Sequence, residues 1–239
     1  MNDEQAVLTE VRGRVLVITI NRPDQRNAVN GAVANGIASA LDQLDGSDEL
    51  SVGVLTGAGK GFSAGMDLKA FVAGESSWVG DRGFAGITQR AAAKPLIAAI
   101  EGFAVAGGLE VALSCDLIVA SKGARLGVPE VKRSLVAAGG ALLRLPRVLP
   151  RTIAMELALT GDPIDAERAY AFGLVEEVTD DTGRALALAA TIAGRSPRSV
   201  AAARDMINHG RATMDHEPSD VPEGLAAFVE RRVPVFRAL

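Results

Sequence analysis

The 239-residue chain contains one cysteine, two histidines and one tryptophan, and aromatic residues make up only 4% of it. A lone Cys115 forms no disulfide within the chain, and no cysteine–histidine cluster has zinc spacing. Cys115 sits in an apolar run and reads as a small, buried core residue. The scarcity of aromatics leaves few platforms on which bases could stack. A net charge of −4 offers no basic surface to a polyanion, so nucleic acid is not an expected partner. The amino terminus, Met1 to Gln5, lacks the basic and apolar regions of a signal peptide. The longest apolar stretch, 95–113, is broken by Glu101, Glu110 and several glycines and is no membrane span. These absences predict a cytoplasmic protein without a membrane partner.

Hydrophobic residues reach 48%, with Ala, Val, Leu and Gly dominant, which suffices for one large domain or one domain with a small appendage. Residues 11–20 read as a hairpin arm and a strand, with Val15, Val17 and Thr19 on one face. A helix is predicted from Asn30, because Val33, Ile37, Leu41 and Leu44 share a face ahead of Asp45-Gly46. Leu50 to Thr56 is a nearly continuous apolar run, of the type found in sheets covered on both faces. Residues 74–86 carry four glycines and weak periodicity. They read as a mobile loop bearing Trp78 and Phe84, which either anchor the loop or line a pocket. Further strands are predicted at 95–100, 116–120, 124–128 and 174–178. Helices are expected from Met66, from Gly107, from Gly140 through Leu145, and over 152–159, 165–172, 184–194, 198–208 and 223–232. Strand, strand, helix, recurring before a mostly helical end, defines an α/β chain with a helical C-terminal region. No sequence repeat of fixed period accompanies it.

The chemistry centres on residues 102–116. An apolar strand feeds a glycine turn at Gly107-Gly108, and Glu110 falls in the first turn of the helix that follows. Free N–H groups at a helix start favour developing negative charge, glycine permits close approach, and a neighbouring carboxylate can move protons. A plain tight turn with a dipole-complementing glutamate is the alternative. Glu130, twenty positions further on, follows Gly127-Val128-Pro129 at the end of a short extended run. Two carboxylates converging on one site would raise at least one pKa and supply an acid and a base together. The loop after the 50–56 strand offers Gly57 and Gly59 but neither a complete dinucleotide fingerprint nor a P-loop. Gly61-Phe62-Ser63-Ala64-Gly65 matches the nucleophile-elbow pattern. The strand, however, ends near Thr56, and the histidines, His209 and His216, lie in a polar tail, which argues against a serine hydrolase.

Taken together, these segments resemble the crotonase superfamily, the enoyl-CoA hydratase/isomerase family. The resemblance is carried by Arg22-Pro23 with Arg26-Asn27-Ala28, by Gly59 with Phe62 through Lys69, and by Gly102 through Glu110 with Cys115-Asp116. Ala124 to Glu130 and Thr160 to Val175 extend it, so that it covers roughly residues 10–205, with a short further match at 223–236. It implies a crotonase-like spiral of ββα units over 1–190 and a helical oligomerisation region over 191–239. It further implies an acyl-CoA thioester substrate and a homotrimer or dimer of trimers. No cofactor is implied, since coenzyme A belongs to the substrate. An oxyanion hole made by the backbone N–H groups of Met66 and Gly107 follows from motif position, with Met66 in place of the more usual alanine. Contacts to substrate are implied for Arg26, Ala28, Ala64, Met66, Asp67, Leu68, Lys69 and Gly107. Because both glutamates are present, the resemblance favours a hydratase in which Glu110 activates water and Glu130 supplies a proton. A Δ3,Δ2-enoyl-CoA isomerase, another crotonase-fold acyl-CoA enzyme and a non-catalytic acyl-CoA-binding protein are the rivals. The chain departs from the family between Arg204 and Glu223, which is roughly a helix shorter than usual, and near residue 184.

Overall fold

A computed structural model describes residues 5–181, 183–209 and 220–236. β1 (Val7–Arg12) and β2 (Val15–Ile20) form an antiparallel hairpin that turns at Gly13, where a φ of 61° suits a residue without a Cβ. Alternation along β2 sends Leu16, Ile18 and Ile20 into the main core and Val15 and Val17 into a second core on the opposite face. α1 (Gly31–Gly46) packs on the first of these faces. Asn30 caps it by accepting the Val33 N–H at 3.1 Å, and Val33, Ile37, Leu41 and Leu44 are all fully buried, as their spacing predicts.

β3 (Val52–Gly57) is followed by a short α2 (Leu68–Val72) and by β4 (Trp78–Val79) and β5 (Gly83–Phe84). β6 (Leu96–Ile100), β7 (Phe103–Val105) and α3 (Gly107–Ala112) form one strand–strand–helix unit. β8 (Leu117–Ser121), β9 (Arg125–Gly127), a 3₁₀ turn at Pro129–Arg133 and α4 (Ala141–Val148) form the next. α5 (Arg151–Thr160), β10 (Ile164–Asp165), α6 (Ala166–Ala171) and β11 (Glu177–Thr179) lead into α7 (Gly183–Ala193), α8 (Pro197–His209) and α9 (Val221–Glu230).

One sheet has the order β1-β2-β3-β6-β8-β11 and is parallel apart from the first hairpin; a second has the order β10-β9-β7. The first strand of each unit enters the long sheet and the second enters the short one. Ser63 extends the pattern backwards through a parallel bridge to Ala104, so the segment after β3 runs beside β7. This staggered progression is the predicted ββα spiral. Ala185, Ala189 and Ala193 of α7 cover the second face of the long sheet, which explains why its strands are apolar on both sides. The expected boundary after residue 190 therefore falls inside α7. Asp116 clamps β6 and α8 together, accepting the Leu96 N–H at 2.9 Å and pairing with Arg204 at 2.6 Å.

Several expectations need correction. Residues 74–86 are not a plain loop, because Trp78 pairs with Phe84 and Val79 with Gly83 in a small antiparallel hairpin. Two glycines with positive φ, Gly80 and Gly83, turn the chain there, and periodicity is unreadable in strands of two residues. The last strand begins at Glu177, leaving Leu174 and Val175 buried outside it. α4 runs past Leu145 with Pro146 inside it, forgoing one helical hydrogen bond near its end. Cys115 is half-buried, not fully buried; its thiol donates to the Val111 carbonyl, and burial beside Asp116 pushes its pKa upward, away from nucleophilic use. The shortened stretch between Arg204 and Glu223 includes 210–219, which, like His216, lies outside the described residues. Among the described residues no helix is long and apolar enough to cross a membrane.

Candidate active site

Two backbone segments meet at the start of α3. Val29 bridges the chain around Met66: its N–H donates to Gly65 at 2.8 Å, and its carbonyl accepts from Asp67 at 2.9 Å. Neighbouring peptide groups in an extended chain point to opposite sides, so the Met66 N–H is turned away from Val29. Gly107 opens α3, where a first-turn N–H has no partner within the helix. Among the described residues neither N–H finds an acceptor. Both residues border one open cavity of about 290 Å³. Their closeness is enforced by glycine: a Cβ on Gly65 would stand 2.7 Å from the Gly107 nitrogen, and one on Gly108 would strike the Ser63 carbonyl. Ala106 completes the turn with a φ of 53°, a conformation that costs about 1–3 kcal/mol and recurs at functional sites. α3 has only six residues, so individual N–H groups, more than a long helix dipole, define the donor site.

The same cavity holds both glutamates. Glu110 is 4% exposed, and its Oε1 accepts the Ala141 N–H at 3.2 Å. Burial raises its pKa, opposed by the N–H groups of Ala141 and Gly139 and by the charge of Arg144. Gly139 leaves just enough room, since a Cβ there would lie 2.5 Å from Glu110 Oε2. Glu130 stands on the 3₁₀ turn, and its Oε2 is buried without a hydrogen-bond partner. Burial, with Glu110 adding a like charge, pushes its pKa up to about 7. The carboxyls sense each other; Glu110 accepts from the start of α4, whereas Glu130 has only its own backbone N–H and keeps one buried oxygen unpaired. Such a pair can divide acid and base roles.

The remaining walls come from α2, the β4–β5 hairpin and the segment after Glu130. Trp78 and Phe84 meet edge to face at 6.2 Å and 66°, and both border the cavity, so anchoring and lining are one role. Phe71, Arg133, Leu135 and Val136 also border it, and no sequence pattern singled them out. Ser63 is fully buried; its hydroxyl donates to the Asn27 carbonyl at 2.8 Å and accepts from the Gly65 N–H at 3.1 Å. It braces the Met66 segment and is no free nucleophile.

The sequence profile described as enoyl-CoA hydratase/isomerase matches residues 10–238. The chain belongs to the enoyl-CoA hydratase/isomerase family. It is 37% identical to mevalonyl-coenzyme A hydratase SIDH of Beauveria bassiana, with 93% of this chain and 91% of that protein covered. It is also 37% identical to enoyl-CoA hydratase EchA19 of Mycobacterium tuberculosis, covering 96% of each. A crystal structure of an enoyl-CoA hydratase from Mycobacterium tuberculosis superposes with a TM-score of 0.95 at 49% identity, covering 99% of this chain and 100% of that one.

Against this family's pattern, Ala64, Met66, Leu68 and Gly107 line the cavity, as do Glu110, Glu130, Trp78 and Phe84. Arg26, Ala28, Asp67 and Lys69 stand outside its lining. The Arg26 guanidinium lies 4.5 Å from the centre of the Phe103 ring. Asp67 caps α2 and pairs with Arg22 at 2.9 Å; Arg22 and two backbone N–H groups outweigh burial and hold its carboxyl below the usual range. The Ala28 carbonyl accepts from Arg22 at 2.7 Å, and Lys69 is exposed on α2. Asn27, 1% exposed, donates to the carbonyls of Ala58 and Gly61 and fixes the loop that leads to Met66.

Proposed function

We propose that the protein is an enoyl-CoA hydratase that adds water across the C2=C3 bond of a trans-2-enoyl-CoA to give a 3-hydroxyacyl-CoA. The observation that carries this reading is one cavity bordered by two unlike glutamates and two uncommitted backbone N–H groups. The thioester carbonyl accepts from the N–H groups of Met66 and Gly107, which draws electron density from C3. The Glu110 carboxylate takes a proton from water as the water oxygen bonds to C3. The displaced electron pair moves through C2 onto the thioester oxygen as an enolate. Glu130, holding a proton near neutral pH, delivers it to C2, and the C=C bond has then gained H and OH. The two carboxyls recover their starting states by proton exchange. This chemistry draws on no separate cofactor, since coenzyme A arrives with the substrate.

Arg26, Ala28, Asp67 and Lys69 would meet the coenzyme A portion from outside the cavity. Trp78 and Phe84 would bound the acyl chain, beside Ala64 and Leu68. A homotrimer or dimer of trimers is the proposed assembly, built on the helical C-terminal region. Ile207 of α8 and Phe228 of α9, 84% and 82% exposed in the single chain, support this. Cytoplasmic residence completes the reading.

A Δ3,Δ2-isomerase shuttles a proton with one carboxylate, and the second glutamate on the cavity favours the hydratase. The test is the loss of enoyl-thioester absorbance when purified protein meets crotonyl-CoA, with a C10 enoyl-CoA in parallel. Rapid loss with 3-hydroxyacyl product is expected. Unchanged enoyl absorbance with both substrates, while acyl-CoA still binds, would overturn hydration.

A further inference from the structure

We propose that Arg144 is a positioning residue that clamps the Gly139–Ala141 backbone against Glu110 and so fixes the water-activating carboxylate at the reaction centre. The proposal rests on the hydratase reading for the role of Glu110. Arg144 does not border the cavity, so it acts on substrate only through another group. Its Nη1 donates to the Gly139 carbonyl at 3.2 Å and its Nη2 to the Thr88 carbonyl at 2.5 Å. One guanidinium thus ties the start of α4 to the segment that follows the β4–β5 hairpin. The planar fork of arginine can span two carbonyls in this way, and lysine has no equivalent geometry.

The turn between Arg144 and Glu110 is packed from both sides. A Cβ on Gly139 would lie 2.5 Å from Glu110 Oε2, and a Cβ on Gly140 would strike Arg144 Nη1. Gly140 has a φ of 108°, a conformation that glycine tolerates. The peptide chain is therefore sandwiched between guanidinium and carboxylate, with the Ala141 N–H donating to Glu110 Oε1. Pulling the Gly139 carbonyl towards Arg144 leaves the N–H side of the turn for Glu110. The charged groups that act on Glu110 are Arg144 from α4 and Glu130 from the 3₁₀ turn, and Arg147 acts on Arg144 from one turn along α4. Arg144 also has a net electrostatic effect, because its charge favours the ionised Glu110 and opposes the pull of burial.

The deciding experiment follows glutamate carboxyls by ¹³C NMR titration in the full-length wild type, Arg144→Met and Arg144→Lys, with the Glu110 signal identified by its loss in Glu110→Gln. In Arg144→Met the Glu110 midpoint should rise clearly above its wild-type position. Arg144→Lys should show a smaller rise and supplies the same readout if the methionine variant does not fold. Crotonyl-CoA turnover should fall on the order of 10²-fold, the cost of a carboxylate displaced by about 1 Å, while KM changes little. A folded variant whose Glu110 midpoint is unmoved would overturn the proposal, even if its thermal stability dropped. The titration does not depend on turnover. A wild type inactive on enoyl-CoA would therefore count against the hydratase reading alone, and the carboxyl midpoint would still decide the clamp.

Discussion

Glu110 and Glu130 border the same cavity, yet the walls that carry them are built differently. The α3–α4 wall surrounds Glu110 with ordered donors: the Ala141 N–H, a glycine turn with no spare volume, and Arg144 behind it. The 3₁₀ wall leaves Glu130 with a buried oxygen that nothing satisfies and a pKa near 7. Donors favour the charged form of a carboxyl, and burial without donors favours the neutral form. Two side chains of one type are thereby biased apart, in the way the proposed base and acid roles require. What separates them is the backbone around each carboxyl.

The largest expected effect comes from abolishing the contrast. Glu110→Gln and Glu130→Gln should each lower kcat by roughly 10²–10⁴-fold, the usual worth of a positioned acid or base, while acyl-CoA binding, read by calorimetry, stays near wild type. Retention of activity by either variant would break the division of roles. In the wild type, kcat should fall at low pH as Glu110 takes up a proton, and fall again as pH rises through about 7 and Glu130 loses one. A profile without the upper limb would remove Glu130 from the acid role.

A smaller change tests one wall alone. Gly139→Ala places a methyl group against Glu110 Oε2 and should lower kcat on the order of 10²-fold by displacing the base. The Glu130 limb of the pH profile should stay in place. A shift of both limbs would show that the walls are coupled more closely than their construction indicates.

The smallest effect is on stability. The folded-state pKa of Glu130 is raised from 4.5 to about 7, so its protonated form stabilises the fold at low pH, and that contribution is lost as pH rises through 7. Glu130→Gln should therefore match the wild type near pH 5 and exceed it at pH 8. The gain should be about 1–2 kcal/mol, allowing for the carboxyl's partial exposure, or about 2–8 °C in Tm. Equal Tm values at both pH values would mean that Glu130 is not neutral in the fold.

Long, strongly periodic elements were legible in the chain. α1 follows from Val33, Ile37, Leu41 and Leu44, and β2 and β3 follow from apolar runs that both cores use. The candidate-site residues were legible mainly through the family resemblance, which assigned Met66, Gly107, Glu110 and Glu130 by motif position; the local glycine turn alone left a plain tight turn as the alternative. The β4–β5 hairpin was not, since two-residue strands carry no pattern. Arg144 was not either: it lies 34 positions beyond Glu110, and only the Gly139–Gly140 turn brings it near.

By itself, the sequence determined the longer strands and helices, the family, and which residues could carry acid–base and backbone-donor chemistry. Those depend on side-chain pattern and on glycine's freedom along the chain. Only the tertiary structure decided that Met66 and Gly107 border one cavity, that Glu110 accepts from the start of α4, and that Glu130 keeps an unpaired buried oxygen. The physical reason is that pKa and donor availability belong to surroundings. For these residues the surroundings are assembled from segments distant in sequence.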